Sequence, residues 1–155
     1  MSAVGSPPAI NLLYSTDYTT WSAFTPGTTT ITLDNVGDKV WFKAGTEENL
    51  SAKNTCFTSN YSRNYWKFVM TGKIAASGSI MSLLDGTNET YEISGNRCFA
   101  HLFEGCSSLV QAPELPATTL TEYCYQELFK DCTALSTPPA LPASAVADGS
   151  YIWMF

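Results

Sequence analysis

The sequence predicts a β-rich α+β chain in two parts, a small antiparallel β sandwich-like module followed by a short solenoid with a 26-residue period. Three observations carry this. First, Cys98-Phe99-Ala100-His101-Leu102-Phe103-Glu104-Gly105-Cys106 lies over Cys124-Tyr125-Gln126-Glu127-Leu128-Phe129-Lys130-Asp131-Cys132 with cysteines, aromatics and leucines in register. A fixed period of this size marks units that bury their apolar faces only against their neighbours. Second, residues 9–70 break into short apolar or β-branched runs separated by turn residues, the pattern of small antiparallel sheets. Third, 45% of the residues are hydrophobic and only 14% are charged, so the chain carries enough apolar surface for a real core.

The elements follow in order. Ala9 to Tyr14 is a strand-like run ended by the turn-rich Ser15-Thr16-Asp17-Tyr18-Thr19-Thr20, and Trp21 to Phe24 is a second, stopped by Pro26-Gly27. Thr28 to Leu33 is β-branched and reads as a third strand. Lys39 to Ala44 alternates, with Val40, Phe42 and Ala44 inward and Lys39, Trp41 and Lys43 toward the other surface. Gly45 to Arg63 reads as a polar loop. Tyr65 to Met70 alternates again and places Trp66, Phe68 and Met70 on one face. Ser79 to Leu84 is an apolar piece suited to cap the first repeat, which would otherwise expose its core face. The expected division is therefore a β-rich module over residues 1–78, a linker and cap over 79–95, and repeats over 96–155. The repeats comprise two full copies and a truncated third.

Within a copy, Cys124, Tyr125, Leu128 and Phe129 recur at helical spacing, which predicts one or two helical turns stopped at Gly105 and Asp131. Leu109 and Leu135 follow, then segments whose Pro113 and Pro139 permit only short extended pieces. Packed helical turns would lie about 8–10 Å apart. That exceeds the reach of a disulfide, so Cys98 and Cys124, and Cys106 and Cys132, are expected to stack unbonded.

The net charge of −6 and scattered basic residues argue against a nucleic-acid partner, since a phosphate-binding face needs clustered Lys and Arg. No segment reaches the apolar length of a membrane span. The opening residues have neither the basic start nor the apolar run of a signal peptide.

The pattern Cys124-Tyr125-x-x-Leu128-Phe129-x-x-Cys132-Thr133-x-Leu135, followed by Pro139-x-Leu141-Pro142-Ala143, resembles the BspA-like leucine-rich repeats of gut and oral Bacteroidetes. Ala112 to Leu120 carries the same resemblance, and upstream segments such as Val36 to Val40 and Met70 to Gly78 look like the β module that often precedes such repeats. The resemblance covers residues 96–155 and implies a leucine-rich-repeat solenoid. It also implies a binding or adhesion protein at a bacterial surface, or secreted. Similar arrays in phage-associated genes imply an alternative, a structural decoration or fibre protein of a virion. Ser150 departs from the pattern, which has Cys there.

Candidate chemistry is sparse. The lone histidine, His101, falls at a repeat position held by Glu127 in the next copy, which reads as a solvated polar face rather than a general base. Cys98-x7-Cys106 and Cys124-x7-Cys132 lack the short spacing of zinc sites, and their recurrence at the repeat period fits packed apolar cysteines. Asp85 to Glu89 reads as a turn rather than a calcium loop. Three matches to the glycosylation sequon, at Asn49, Asn60 and Asn88, read as surface loops. Neither a cofactor, a metal nor an enzymatic activity is expected. The expected partner is a protein or a glycan, and the sequence leaves its identity and the oligomeric state open. The candidate binding residues are Trp21, Trp41, Tyr18 and Tyr61, whose rings (with Tyr65) neighbour polar loops or outward strand faces, and Gln126 and Glu127 on the polar face of the repeats. For each aromatic the competing role is core packing.

Overall fold

The computed structural model describes residues 1–59, 63–87, 91–93 and 95–155. Its described elements are β1 (Ser2–Val4), β2 (Leu12–Ser15), β3 (Ser22–Phe24), β4 (Trp41–Ala44), β5 (Tyr65–Lys67), β6 (Ile74–Ala75), the single-turn helix α1 (Ser82–Asp85) and β7 (Leu109–Gln111). The chain is thus β-rich with almost no helix. No helix among the described residues is long and apolar enough to cross a membrane.

β2 is the central strand of an antiparallel sheet ordered β3-β2-β4, with Leu12 opposite Phe24 and Ala44, and Ser15 opposite Trp41. Strand alternation then sorts the side chains. Tyr14, Phe24 and Phe42 lie on the inner face, where Phe24 meets Tyr14 at 6.3 Å and Phe42 at 5.3 Å, both edge to face. Trp41 and Lys43 point the other way, as the alternation of β4 predicts. Thr28 to Leu33 forms no strand, contrary to its β-branched composition, although Ile31 packs against the core. β1 pairs antiparallel with β5, where the Trp66 indole donates to Pro8 O at 2.8 Å. α1 wedges beneath β4: Ser82 donates to Phe42 O, and Leu83 and Leu84 are buried.

The repeats are built from turns, not helix. A residue with positive φ recurs at every fourth position: Arg97, His101 and Gly105 in one copy, Tyr123, Glu127 and Asp131 in the next, then Gly149 and Trp153. Backbone donors divide into two sets. Ala100, Leu102, Glu104 and Cys106 close their own turns onto the carbonyl three residues back. Arg97, Phe99, His101, Phe103 and Gly105 donate instead to Glu122, Cys124, Gln126, Leu128 and Lys130 of the following copy, at 2.8–3.0 Å. Each copy is a rung bonded to the next. A non-glycine residue with left-handed backbone costs about 1–2 kcal/mol, which the inter-rung bonds offset. The helix expected over 122–129 is therefore corrected: the i, i+4 recurrence of Cys98, Leu102 and Cys106 reflects a four-residue turn period. A helix would have spent each N–H within itself and left none for the neighbouring copy.

The stacking begins earlier than the repeats do. Phe57 N donates to Cys98 O at 2.8 Å and Phe68 N to Leu102 O at 2.8 Å, so Thr55–Phe57 and Phe68 form a degenerate first rung. This rung lies within the residues expected to form the β module and includes part of the expected polar loop. β6 then pairs parallel with β7, and isolated parallel bridges join Glu92 to Thr119 and Thr119 to Ala145. Rings stack through all rungs in two columns. One runs Phe57, Phe99, Tyr125, Tyr151 at 5.9–6.0 Å, and the other runs Phe68, Phe103, Phe129, Phe155 at 5.2–5.9 Å. Phe42 joins the second column to the sheet through Phe68 at 5.7 Å, so one core continues from Leu12 to Met154.

Candidate functional site

The loop after β2 is fastened from within. Asp17 Oδ1 accepts hydrogen bonds from the Ser15 hydroxyl at 2.9 Å and the backbone N–H groups of Thr19 and Thr20 at 2.8 and 2.7 Å. Those donors, the Thr20 and Thr19 amides foremost, hold its carboxyl well below the usual carboxylate range. Tyr18 N bonds to Ser15 Oγ at 2.9 Å, and Tyr18 itself has φ 64°. The result is a tight turn that projects the Tyr18 ring, 62% exposed, over the outer face of the sheet. There it meets Trp21 at 5.9 Å and Trp41 at 5.5 Å, both with planes inclined at 62°. Lys43 Nζ sits 4.2 Å above the Trp21 ring, and Glu47 accepts from Ala23 N at 2.9 Å at the same edge. Neither indole is fully buried; both are half-buried. Three residues singled out in the sequence, Tyr18, Trp21 and Trp41, are thus brought together into one aromatic surface. Tyr61 lies outside the described residues.

Gln126 and Glu127 require correction. They do not lie on an open face but are 9% and 8% exposed, inside a network between rungs. The Arg97 guanidinium donates to Gln126 Oε1 at 2.7 Å, the Gln126 amide to Glu127 Oε1 at 3.3 Å, and Lys130 Nζ to Glu127 Oε2 at 2.6 Å. His101 Nδ1 lies 2.9 Å from Glu104 Oε2 and 3.8 Å from Glu127 Oε2. Tyr65, expected among the outward aromatics, is also buried: its ring stacks on His101 at 4.2 Å and its hydroxyl donates to Glu104 at 2.9 Å. Loss of solvent and that carboxylate push the Tyr65 hydroxyl up to about 12. For Glu127, burial favours the protonated form, but the hydrogen bond from Lys130, the neighbouring His101 and the Gln126 amide outweigh it and lower its pKa.

His101 is likewise buried rather than solvated, with 7% of its side chain exposed, and its Nε2 has no partner among the described residues. Ligand atoms of His101, Glu104 and Glu127 lie within 4.8 Å of one another. Both carboxylates already have partners, an ammonium on Glu127 and a phenol and imidazole on Glu104.

The sequence contained a signal for this network. Residues one period apart are chemically complementary: Asn96 bonds to Glu122 at 3.1 Å, Arg97 covers the Tyr123 ring at 4.1 Å, and His101 lies beside Glu127. Variation between copies here reflects pairing across the stack, not exposure.

Comparison with protein-family models, curated proteins and solved structures finds no match to this chain.

Proposed function

We propose that this chain is a non-catalytic binding module of a bacterial surface or secreted protein, whose ligand is a glycan or protein held at Tyr18, Trp21 and Trp41. Its stacked copies are, in this reading, a short solenoid of leucine-rich-repeat type related to the BspA-like proteins that the sequence resembles. The observation that carries the proposal is the outward-facing aromatic surface on a turn fixed by Asp17 and Ser15. Aromatic rings offer large contact area for little entropy lost, and a pre-fixed loop lowers the cost of binding further. The test is a broad glycan and matrix-protein array probed with the whole chain, repeated with Trp21→Ala and Trp41→Ala. Binding that both substitutions weaken, with the fold intact by circular dichroism, supports the reading; binding untouched by either overturns it.

A structural role in a virion is the second reading. It draws support from the burial of Gln126 and Glu127, which leaves the repeats a packed spine rather than an open polar face. An array with no hit at all favours it.

A further inference from the structure

Cysteine is a chemically reactive side chain that the proposed binding role leaves unused. Five thiols are present and all are unbonded. Their environments differ sharply. Cys98 and Cys124 have no exposed surface, Cys106 and Cys132 are 2% and 7% exposed, and Cys56 alone is half-buried. Cys56 lines a groove of about 350 Å³ that it shares with Pro8, Ala9, Thr58 and Asn96. Gly95 passes so close that a Cβ there would stand 2.2 Å from Cys56 Sγ, and only glycine leaves the sulfur its place.

Cys56 and Cys98 are equivalent residues on adjacent rungs. Their sulfurs make reciprocal contacts across the gap, Cys98 Sγ donating to Thr55 O at 3.2 Å and Cys56 Sγ to Asn96 O at 3.8 Å. The adjoining Phe57 N–H bonds to Cys98 O at 2.8 Å. Rungs bonded in this way lie about 4.8 Å apart, inside the range of about 4.4–6.8 Å between Cα atoms that a disulfide spans. The separation of helical turns, which argued against a bridge between Cys98 and Cys124 or between Cys106 and Cys132, does not apply.

We propose that Cys56 and Cys98 form a peroxide-responsive thiol pair, in which Cys56 reacts first and Cys98 closes a disulfide between the first two rungs. In the first step the Cys56 thiolate attacks one peroxide oxygen. The O–O bond breaks, sulfur gains a hydroxyl as a sulfenic acid, and the departing hydroxide takes a proton to become water. In the second step the Cys98 sulfur displaces that hydroxyl, and its proton leaves with it as a second water. Two thiols give up two electrons, and peroxide accepts them. Electrostatics support the order of events: the neighbouring Cys98 thiol, opposed by burial, lowers the Cys56 pKa, whereas burial raises that of Cys98 well above the usual value. Cys124, next in the column, has no path to solvent and stays reduced.

The test uses the whole chain, treated with equimolar hydrogen peroxide, denatured, alkylated without reduction and mapped by mass spectrometry. The expected result is two of the five thiols lost, a single bridged peptide joining Cys56 to Cys98, and a mass lower by two hydrogens. Cys56→Ser should abolish the bridge, and Cys106→Ser should leave it intact. Cys98→Ser risks the fold because the site is closed, so the half-buried Cys56 position carries the test. Alkylation of all five thiols after peroxide, a bridge between any other pair, or Cys56 accumulating as sulfinic acid beside a free Cys98 would each overturn the proposal.

Discussion

Phe24 and Phe42 meet edge to face in the sheet, their planes at 87°, whereas Phe103 and Phe129 lie face to face at 20° in the stack. The same residue type obeys two geometries because the backbones differ. In the antiparallel sheet, Phe24 and Phe42 stand on β3 and β4, the two strands that flank β2, and settle where ring edge meets ring face, the arrangement the quadrupole favours. In the stack, each rung repeats the one below at hydrogen-bonding distance, so equivalent rings must lie nearly parallel. The sheet can therefore be altered at one ring without disturbing a neighbour's register. A ring lost from the stack removes support from the rungs on both sides.

The largest expected effect follows from this. Phe103→Ala, between Phe68 and Phe129, should destabilise the chain by about 3–5 kcal/mol, measured by urea unfolding. Phe42→Ala, at a half-buried ring, should cost less; an equal or greater loss would mean that the stack has no special dependence on its rings.

Gly149 tests the turn period. Its φ is 65°, and a Cβ would fall 2.4 Å from the Tyr123 ring. Gly149→Ala should cost about 1–2 kcal/mol for the backbone alone, with the clash in addition. In the β module, Gly27→Ala meets open space and should incur only the backbone cost. If the two substitutions destabilise equally, the packing of Tyr123 on that glycine contributes nothing.

A smaller effect is expected from Glu127. Its pKa is lowered on folding, so its contribution is present above the unfolded carboxylate range, near about 4.3, and disappears as pH falls through the lower folded value. Melting temperatures of the wild-type chain and Glu127→Gln should differ most near neutral pH and converge in acid. A gap that persists unchanged to pH below about 3 would assign the loss to packing instead of charge. The smallest change belongs to the aromatic surface: Tyr18→Ala should shift stability by no more than about 0.5 kcal/mol while weakening any ligand that the array identifies.

Much of this was legible in residues taken one at a time. The 26-residue alignment located the rungs, and the alternation of Lys39 to Ala44 placed Trp41 and Phe42 on opposite faces. The first rung was harder to find. Asn54-Thr55-Cys56-Phe57 matches Asn96-Arg97-Cys98-Phe99, but at a spacing of 42 residues rather than 26. Extra chain both between Phe57 and Phe68 and between Phe68 and Cys98 hides the period, while the hydrogen bonds to Cys98 and Leu102 preserve the stacking.

What the sequence by itself determined is which residues must face a neighbour, because burial of Phe, Leu and Cys at a fixed period is a property of composition and spacing. What only the tertiary structure decided is how the backbone between them is satisfied. Recurrence at i, i+4 suits both an α-helix and a four-residue turn, and they differ only in whether alternate N–H groups bond within the segment or to the next copy. That choice depends on a partner distant in the chain. It turned Gln126, Glu127 and His101 from a supposed surface into an interior network, since rungs at strand spacing cover side chains that separated helices would leave in water. The same spacing brought Cys56 within reach of Cys98, and tertiary folding alone set Tyr18 over the two indoles.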